Sequence, residues 1–216
     1  FSAAYNLTKK KEYLLVAERA FQYITEFLID KEFGGVYWTA DYKGNPLDTK
    51  KQIYALSFAV YGLSEFYQAS KNEKALRAAV ALYNDIVKHS YDEKSGGYIE
   101  ALTRDWKPIN DLRLSSKDAN ERKSMNTHLH ILEAFTNLHR VSPTDILEVQ
   151  LRELIQLFAE HIISKQSNHL VLFFDDEWNE RSNLISYGHD IEAAWLIQES
   201  TEVIGDKNLL PQIKNF

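Results

Sequence analysis

A short motif that ends in two glycines occurs twice in this chain, and it organises the pattern on both sides. Residues 27–38 (FLIDKEFGGVYW) and 89–100 (HSYDEKSGGYIE) share the order helix end, Asp, charged turn, Gly-Gly and aromatic strand. The pairs Gly34-Gly35 and Gly96-Gly97 lie 62 residues apart. Because glycine readily adopts positive φ, each pair is expected to close a helix with a tight turn.

A third, degraded copy of the motif spans residues 161–178, where Asn168-His169 replaces the glycines. One set of helical patterns precedes the three motifs, at residues 13–29, 74–89 and 147–163. A second set follows them, at residues 52–69, 124–141 and 188–204. A helical hairpin of this kind cannot bury its apolar face alone, so the repeated units must stack on one another.

The two sets of helices differ in character. The first set carries charges on one face, as in EKALRAAVALYNDIVKH, which is typical of an outer layer. The second set is apolar almost all round at its starts, as in QIYALSFAVYGLSEFY, which is typical of an inner layer. Two concentric layers predict an all-α fold, an α/α toroid or solenoid, forming a single domain over residues 1–216. Closure into a ring does not follow from the pattern.

Each predicted inner helix begins with polar groups, and polar groups on a buried helix need partners. These groups are Tyr54 on the first inner helix, Asn126, His128 and His130 on the second, and His189, Asp190 and Glu192 on the third. Since the helix starts lie at the same end of the layer, the groups are expected to converge at one mouth. That arrangement is typical of a ligand site.

Helical spacing separates the histidines of the second inner helix. Asn126 and His130 are four residues apart and share a face, whereas His128 points away and is predicted to be structural. Asn126 with His130 fits a ligand pocket, and a satisfied core histidine is the alternative.

The third inner helix places His189 and Glu192 three residues apart on one face. A carboxylate at that spacing can orient the imidazole and strengthen it as a base near neutral pH. The alternative is a structural hydrogen bond at a helix start, where Asp190 and Glu192 favour the helix dipole.

Composition excludes several classes of protein. The apolar share of 44% and charged share of 26% are those of a soluble globular domain, and the net charge of −6 without a basic patch disfavours nucleic acid as a partner. Without Cys, disulfides and thiolate sites are impossible. No apolar run has the length of a membrane span, so no membrane partner is expected, and a cytoplasmic protein is predicted. A metal site is disfavoured because no H-E-x-x-H or comparable spacing occurs.

The ends of the sequence suggest a larger protein. The chain opens on FSAAYNLTKKKEY, which lacks an initiator Met and reads as the tail of a helix, and NLLPQIKNF at its end starts a new apolar pattern. Both termini are therefore expected to be cut edges, and the isolated segment is expected to be inactive and to expose inner apolar surface.

The inner-helix motifs also carry a resemblance to a known family. MNTHLH and YGHDIE, together with EFGGVYWTADYKGNPLDTKKQIYALSFAVYGLSEFY, resemble the cellobiose 2-epimerases of the N-acylglucosamine 2-epimerase superfamily. The similarity covers essentially the whole chain in order. It implies an (α/α)6 barrel of six helical hairpins, of which this chain is the central part with about three and a half.

That resemblance implies cofactor-free and metal-free epimerisation at C2 of the reducing-end sugar of cellobiose and related β-1,4-linked disaccharides such as lactose. His189 matches one of two proton-transferring histidines, Glu192 matches its supporting carboxylate, and His130 matches a third active-site histidine acting on the sugar oxygens. Asn126 matches a substrate-contacting residue, and Tyr54 another. The second proton-transferring histidine and the stacking tryptophans belong after residue 216, and a sugar-binding Arg belongs before residue 1.

Other functions remain open at this level. A mannose isomerase on the same fold would share the enediolate but return the proton to C1. An inverting glycoside hydrolase would need two facing carboxylates, for which the candidates are Asp118, Asp175, Asp176 and Glu192. A non-enzymatic α-solenoid scaffold would not gather His, Asn and Tyr at one end of its inner helices.

Overall fold

The computed structural model describes residues 1–206, and helices dominate that part of the chain. The α-helices are α1 (Ser2–Thr8), α2 (Lys11–Tyr23), α3 (Ile53–Ser70), α4 (Glu73–Ser90), α5 (Met125–Val141), α6 (Asp145–Leu157) and α7 (Tyr187–Val203). The π-helical turns Ile24–Leu28 and Phe158–Ile162 extend α2 and α6 up to the next turn motif. All six predicted helical patterns are therefore confirmed, with bounds that differ by a few residues.

Short antiparallel strand pairs fix where the inner helices α3 and α5 begin. The pairs are β1 (Thr39–Ala40) with β2 (Pro46–Asp48), β3 (Lys51–Gln52) with β4 (Ala101–Leu102), and β5 (Lys123–Ser124) with β6 (Phe173–Phe174). The strand β3 runs directly into α3 and β5 runs directly into α5. Each partner strand follows the next turn motif along the chain, so consecutive repeats are joined at the end of the helices that carries the polar residues.

The helices form the two predicted layers. In the inner layer α1 contacts α3, α3 contacts α5 and α5 contacts α7, while α2, α4 and α6 pack outside. The layers differ in burial: α5 buries twelve of its seventeen residues, whereas α4 buries six of eighteen. Those of α4 recur at helical spacing, as Ala75, Ala79, Leu82, Tyr83, Ile86 and Ser90. The all-α, two-layer prediction is confirmed.

The helices of residues 1–206 form an open arc rather than a closed ring. One face of α7 leaves Tyr187, Ile191 and Trp195 exposed at four-residue spacing, while Ala193 and Ile197 on another face are buried. The new apolar pattern expected at residues 208–216 lies outside the described residues. No helix within the described range is long and apolar enough to cross a bilayer.

The turn motifs adopt the expected backbone. The φ angles are 77° and 65° for Gly34 and Gly35, and 71° and 79° for Gly96 and Gly97. In the third copy Asn168 takes the same left-handed conformation, at 58°. An antiparallel bridge spans each turn, joining Ile29 to Val36, Tyr91 to Tyr98, and Ile163 to Leu170. The repeat read from the sequence is therefore a repeat of structure.

A buried lysine holds each glycine turn, which the sequence analysis did not predict. Nζ of Lys51 lies 2.9 Å from Asp30, and Nζ of Lys123 lies 2.7 Å from Asp92, with neither lysine side chain exposed. Burial opposes the ionisation of Asp30, but hydrogen bonds from Arg104 and Lys51 outweigh it and keep the pKa of that carboxyl well below its usual range. Each lysine lies two residues before the start of an inner helix, so the ion pairs anchor the helix starts to the turns.

A tryptophan indole covers each of the same turns. A Cβ on Gly35 would lie 2.9 Å from the ring of Trp106, and one on Gly97 would lie 2.5 Å from the ring of Trp178. Both indoles donate a hydrogen bond to a backbone carbonyl of the turn they cover, at 2.7 and 2.9 Å. Glycine is required here for its missing side chain as well as for its positive φ.

Candidate functional site

The start of α5 is held by its own cap and by strand pairing. Ser124 ends β5 and is the N-cap of α5, where its Oγ accepts the backbone N–H of Thr127 at 3.1 Å. The same Oγ donates to the carboxylate of Glu100 at 2.6 Å. The cap and the strand pairing therefore fix the position of the first two turns of α5, which carry Asn126, His128 and His130.

His128 is a structural residue, as predicted. Its side chain is fully buried, Nδ1 donates to the carbonyl oxygen of Ser124 at 2.7 Å, and Nε2 accepts the backbone N–H of Tyr98 at 2.9 Å. Both ring nitrogens are thus used inside the protein. Burial lowers the pKa of His128 to about 4, so the ring is neutral at physiological pH.

His130 instead faces an aromatic cluster contributed by α3. The edge of its imidazole meets the ring of Tyr54 at a centroid distance of 5.0 Å, and Phe58 lies 4.6 Å away. Glu133, one turn later on α5, brings Oε2 to 3.0 Å from Nδ1 of His130. The structure therefore brings together two of the predicted site residues, Tyr54 and His130, and adds Phe58 and Glu133, which the sequence analysis missed.

A cavity of about 450 Å³ opens beside this cluster. Its walls come from the end of the α2 extension, β1 and the start of α3, and include Trp38, Tyr54 and Phe58. An aromatic-walled concave site of this kind suits a ring-shaped ligand with an apolar face.

The negative charge of Glu192, on α7, also affects the Tyr54 hydroxyl. Burial raises the pKa of Tyr54, and the negative charges of Glu192 and Glu133 raise it further. The hydroxyl of Tyr54 is therefore protonated at neutral pH and can serve as a hydrogen-bond donor. Contacts join the starts of α3 and α5 through Tyr54 and His130, and the convergence of all three helix starts at one ligand site stays a prediction.

His189 has a different partner from the one expected. Its Nδ1 lies 2.7 Å from Oγ of Ser186, and residues 1–206 contain no hydrogen bond or ion pair between His189 and Glu192. Asp190 accepts hydrogen bonds from the backbone of Leu170 and from Nδ1 of His169, at 3.0 and 2.8 Å. Asp190 therefore connects α7 to the third turn motif, and His189 and Glu192 take no part in that connection.

Asn126 lies against the loop that precedes β5. Its Oδ1 is buried and has no hydrogen-bond partner within the described chain. The residue lines a narrow cleft of about 20 Å³ with Glu100, Arg113 and Asp118. An orphaned buried amide oxygen carries a desolvation cost unless a ligand or water satisfies it.

Glu100 is a fully buried carboxyl that nothing in the sequence spacing singled out. It accepts hydrogen bonds from Ser124 and from the hydroxyl of Thr127, at 2.6 and 2.7 Å. Burial raises its pKa to about 7, although these hydrogen bonds and a weaker one from Gln52 oppose the shift. Its side-chain hydrogen bonds all come from the starts of α3 and α5, so Glu100 joins the two helices that carry Tyr54 and His130.

Metal ligation finds no support in the arrangement of side chains. Residues 1–206 hold no group of three His, Cys, Asp or Glu side chains placed to bind one ion. The carboxylates Asp118, Asp175 and Asp176 lie on loops, where Asp175 and Asp176 pair with Arg181 and Arg122. Cofactor-free and metal-free chemistry stays a prediction.

An open arc of α/α hairpins, whose inner helices carry His, Tyr and carboxylate groups near their starts, is the part of an (α/α)6 toroid that defines the class of this protein. The chain belongs to the N-acylglucosamine 2-epimerase (GlcNAc 2-epimerase) family, whose profile matches residues 1–213. The family resemblance read from MNTHLH and YGHDIE is thereby confirmed.

Two of its most similar relatives are cellobiose 2-epimerases. The enzyme of Bacteroides fragilis is 56% identical over 214 residues, a match that covers 99% of this chain and 55% of that protein. The structure of the enzyme from Bacillus thermoamylovorans B4167 superposes with a TM-score of 0.93 at 41% identity, over 98% of this chain and 55% of that one. A D-mannose isomerase structure shares the fold, with a TM-score of 0.79 at 23% identity, over 99% of this chain and 53% of that one. The chain spans about half the length of the relatives it matches.

Proposed function

We propose that the protein is an epimerase that inverts C2 of the reducing-end sugar of cellobiose or a related β-1,4-linked disaccharide. The observation that carries the proposal is the match to cellobiose 2-epimerases over nearly the whole chain. The meeting of Tyr54 and His130 beside an aromatic cavity supports it.

The reaction begins with opening of the sugar ring to the aldehyde, which acidifies the proton on C2. A base removes that proton, and the electron pair forms a cis-enediolate with the oxygen of C1. A proton then returns to the opposite face of C2, so glucose becomes mannose with no net change in atoms or electrons. Stabilising the developing charge on the C1 oxygen makes the first transfer feasible.

Each site residue has a role in this scheme. His189 is the base or acid on one face of C2, and Ser186 at Nδ1 leaves Nε2 for the proton transfer. Glu192 lies near Tyr54, and its negative charge raises the pKa of the Tyr54 hydroxyl. His130, Tyr54 and Asn126 bind the sugar oxygens during ring opening and enediolate formation.

The test is incubation of the full-length protein with cellobiose in D2O. Glucosyl-mannose with deuterium at C2 is expected, and His189→Ala should abolish both the epimer and the label. His139→Ala is a matched control, since His139 lies at the opposite end of α5 and its side chain makes no hydrogen bond within residues 1–206. Release of glucose would indicate a hydrolase, and a ketose with deuterium at C1 would indicate an aldose–ketose isomerase.

A further inference from the structure

The contact between His130 and Glu133 is a buried pairing of an imidazole with a carboxylate. Oε2 of Glu133 lies 3.0 Å from Nδ1 of His130, and the two side chains are 14% and 8% exposed. Both come from the second and third turns of α5, whose start is fixed by its cap and by β5. The pairing is therefore part of the folded framework.

Glu133 has no other role that would explain its position. Within residues 1–206 its side chain makes no hydrogen bond or ion pair except the one to His130. No Arg or Lys forms an ion pair with it in that range, and its charge raises the pKa of both Tyr54 and Tyr61, after burial as the main cause. Burying most of a carboxylate side chain has a desolvation cost, which the imidazole partner offsets.

The ring of His130 has little freedom to exchange its two nitrogens. Tyr54 and Phe58 pack against it at centroid distances of 5.0 and 4.6 Å, so rotation of the imidazole would displace both aromatic rings. A carboxylate at Nδ1 accepts a hydrogen bond and therefore selects the tautomer with the proton on Nδ1. Nε2 is left with a free lone pair, and it has no partner within the described chain.

We propose that Glu133 is a positioning residue that holds His130 in the Nδ1–H tautomer and directs Nε2 at a hydroxyl of the bound sugar. The proposal rests on the proposed epimerase function. Nε2 then accepts a hydrogen bond from the sugar while its ring is opened. When the imidazole gains a second proton, the carboxylate of Glu133 balances the charge, as an orienting Asp does for a catalytic histidine.

The test compares Glu133→Gln, Glu133→Asp and the control Glu65→Gln in the full-length protein. Glu65 is a carboxylate on the neighbouring inner helix α3 that makes no hydrogen bond to a histidine. We expect Glu133→Gln to lower kcat for cellobiose epimerisation by roughly 10²-fold with KM nearly unchanged, because the lost interaction matters most in the transition state. Glu133→Asp should recover part of that loss, and Glu65→Gln should match the wild type.

A second readout does not depend on turnover. The imidazole ¹⁵N shifts of His130, assigned by the signal lost in His130→Gln, report which nitrogen carries the proton. We expect the Nδ1–H tautomer in the wild type and its loss in Glu133→Gln. A Glu133→Gln variant that keeps both kcat and the Nδ1–H tautomer would overturn the proposal. Absence of deuterium at C2 with wild-type protein would overturn the proposed function alone, since the tautomer shift is still measured.

Discussion

The backbone N–H of Tyr98 donates to Nε2 of His128 across 2.9 Å, so a residue of the second turn motif is held by a side chain of the next inner helix. Nδ1 of the same ring donates to Ser124. Two residues later, the ring of His130 uses only Nδ1 within the described chain and packs against Tyr54 and Phe58, which line the aromatic cavity. Neighbouring histidines of one helix thus separate into a structural and a site residue.

His128→Gln should remove a pH-dependent part of the stability. The pKa of His128 is about 4 in the folded protein against 6.5 as its reference, so the unfolded state binds more protons between these values. The neutral ring's contribution is complete above about pH 6.5 and is lost as pH falls toward 4, by up to about 3 kcal/mol. Urea unfolding at pH 7 and pH 4.5 should show the wild type losing stability relative to His128→Gln. An equal loss in both proteins would contradict the buried neutral ring.

Comparison with Glu100→Gln should reveal a pH dependence of stability whose sign is opposite to that of His128. The folded pKa of Glu100 is about 7, above its reference of 4.5, so the folded state binds the extra proton in this window. The protonated carboxyl is favourable below about pH 4.5, and stability falls as pH rises toward 7, by up to about 3 kcal/mol. Relative to Glu100→Gln, the wild-type protein should lose free energy of unfolding between pH 5 and pH 8. His128 and Glu100 change the free energy of unfolding over overlapping pH ranges and in opposite directions. The stability of the wild type alone will therefore vary less with pH than either residue's contribution.

Gly96→Ala and Gly97→Ala form a matched pair at positive φ. A Cβ on Gly96 has only a side-chain carbon of Leu157 nearby, at 3.8 Å, so the cost is the left-handed conformation, about 1–2 kcal/mol. A Cβ on Gly97 would lie 2.5 Å from Trp178 and 2.7 Å from Nε2 of His128. We expect Gly97→Ala to cost about 1–3 kcal/mol more, measured by urea unfolding at pH 7. Equal losses would show that the indole does not pack on the turn.

Asp30→Asn should destabilise the first turn motif strongly. It keeps the shape of the side chain but leaves the ammonium of Lys51 buried without a counter-ion, which costs about 3–5 kcal/mol. Asp111→Asn is the control, because its partner Arg113 is partly exposed and surface ion pairs contribute little. Thermal unfolding of both variants gives the comparison. A Tm for Asp30→Asn close to that of Asp111→Asn would mean that the buried ammonium of Lys51 does not depend on the charge of Asp30.

The sequence by itself determined the architecture. The alternation of charged and apolar helical faces indicated two layers, and positive φ at Gly34-Gly35 and Gly96-Gly97 followed from the repeat, because both depend on spacing along one helix or within one turn. Local spacing also separated His128 from His130, and the common polarity of the helix starts correctly brought Tyr54 and His130 together.

Only the tertiary structure decided which partner each polar group has. The i,i+3 spacing of His189 and Glu192 allowed a histidine–carboxylate contact between them. In the structure His130 and Glu133 form such a contact instead, and His189 contacts Ser186. The Lys51–Asp30 pair and the burial of Glu100 join residues that are remote in sequence. Such contacts depend on the rotamers and on how the helices are placed around the layer, and no periodicity along the chain encodes that.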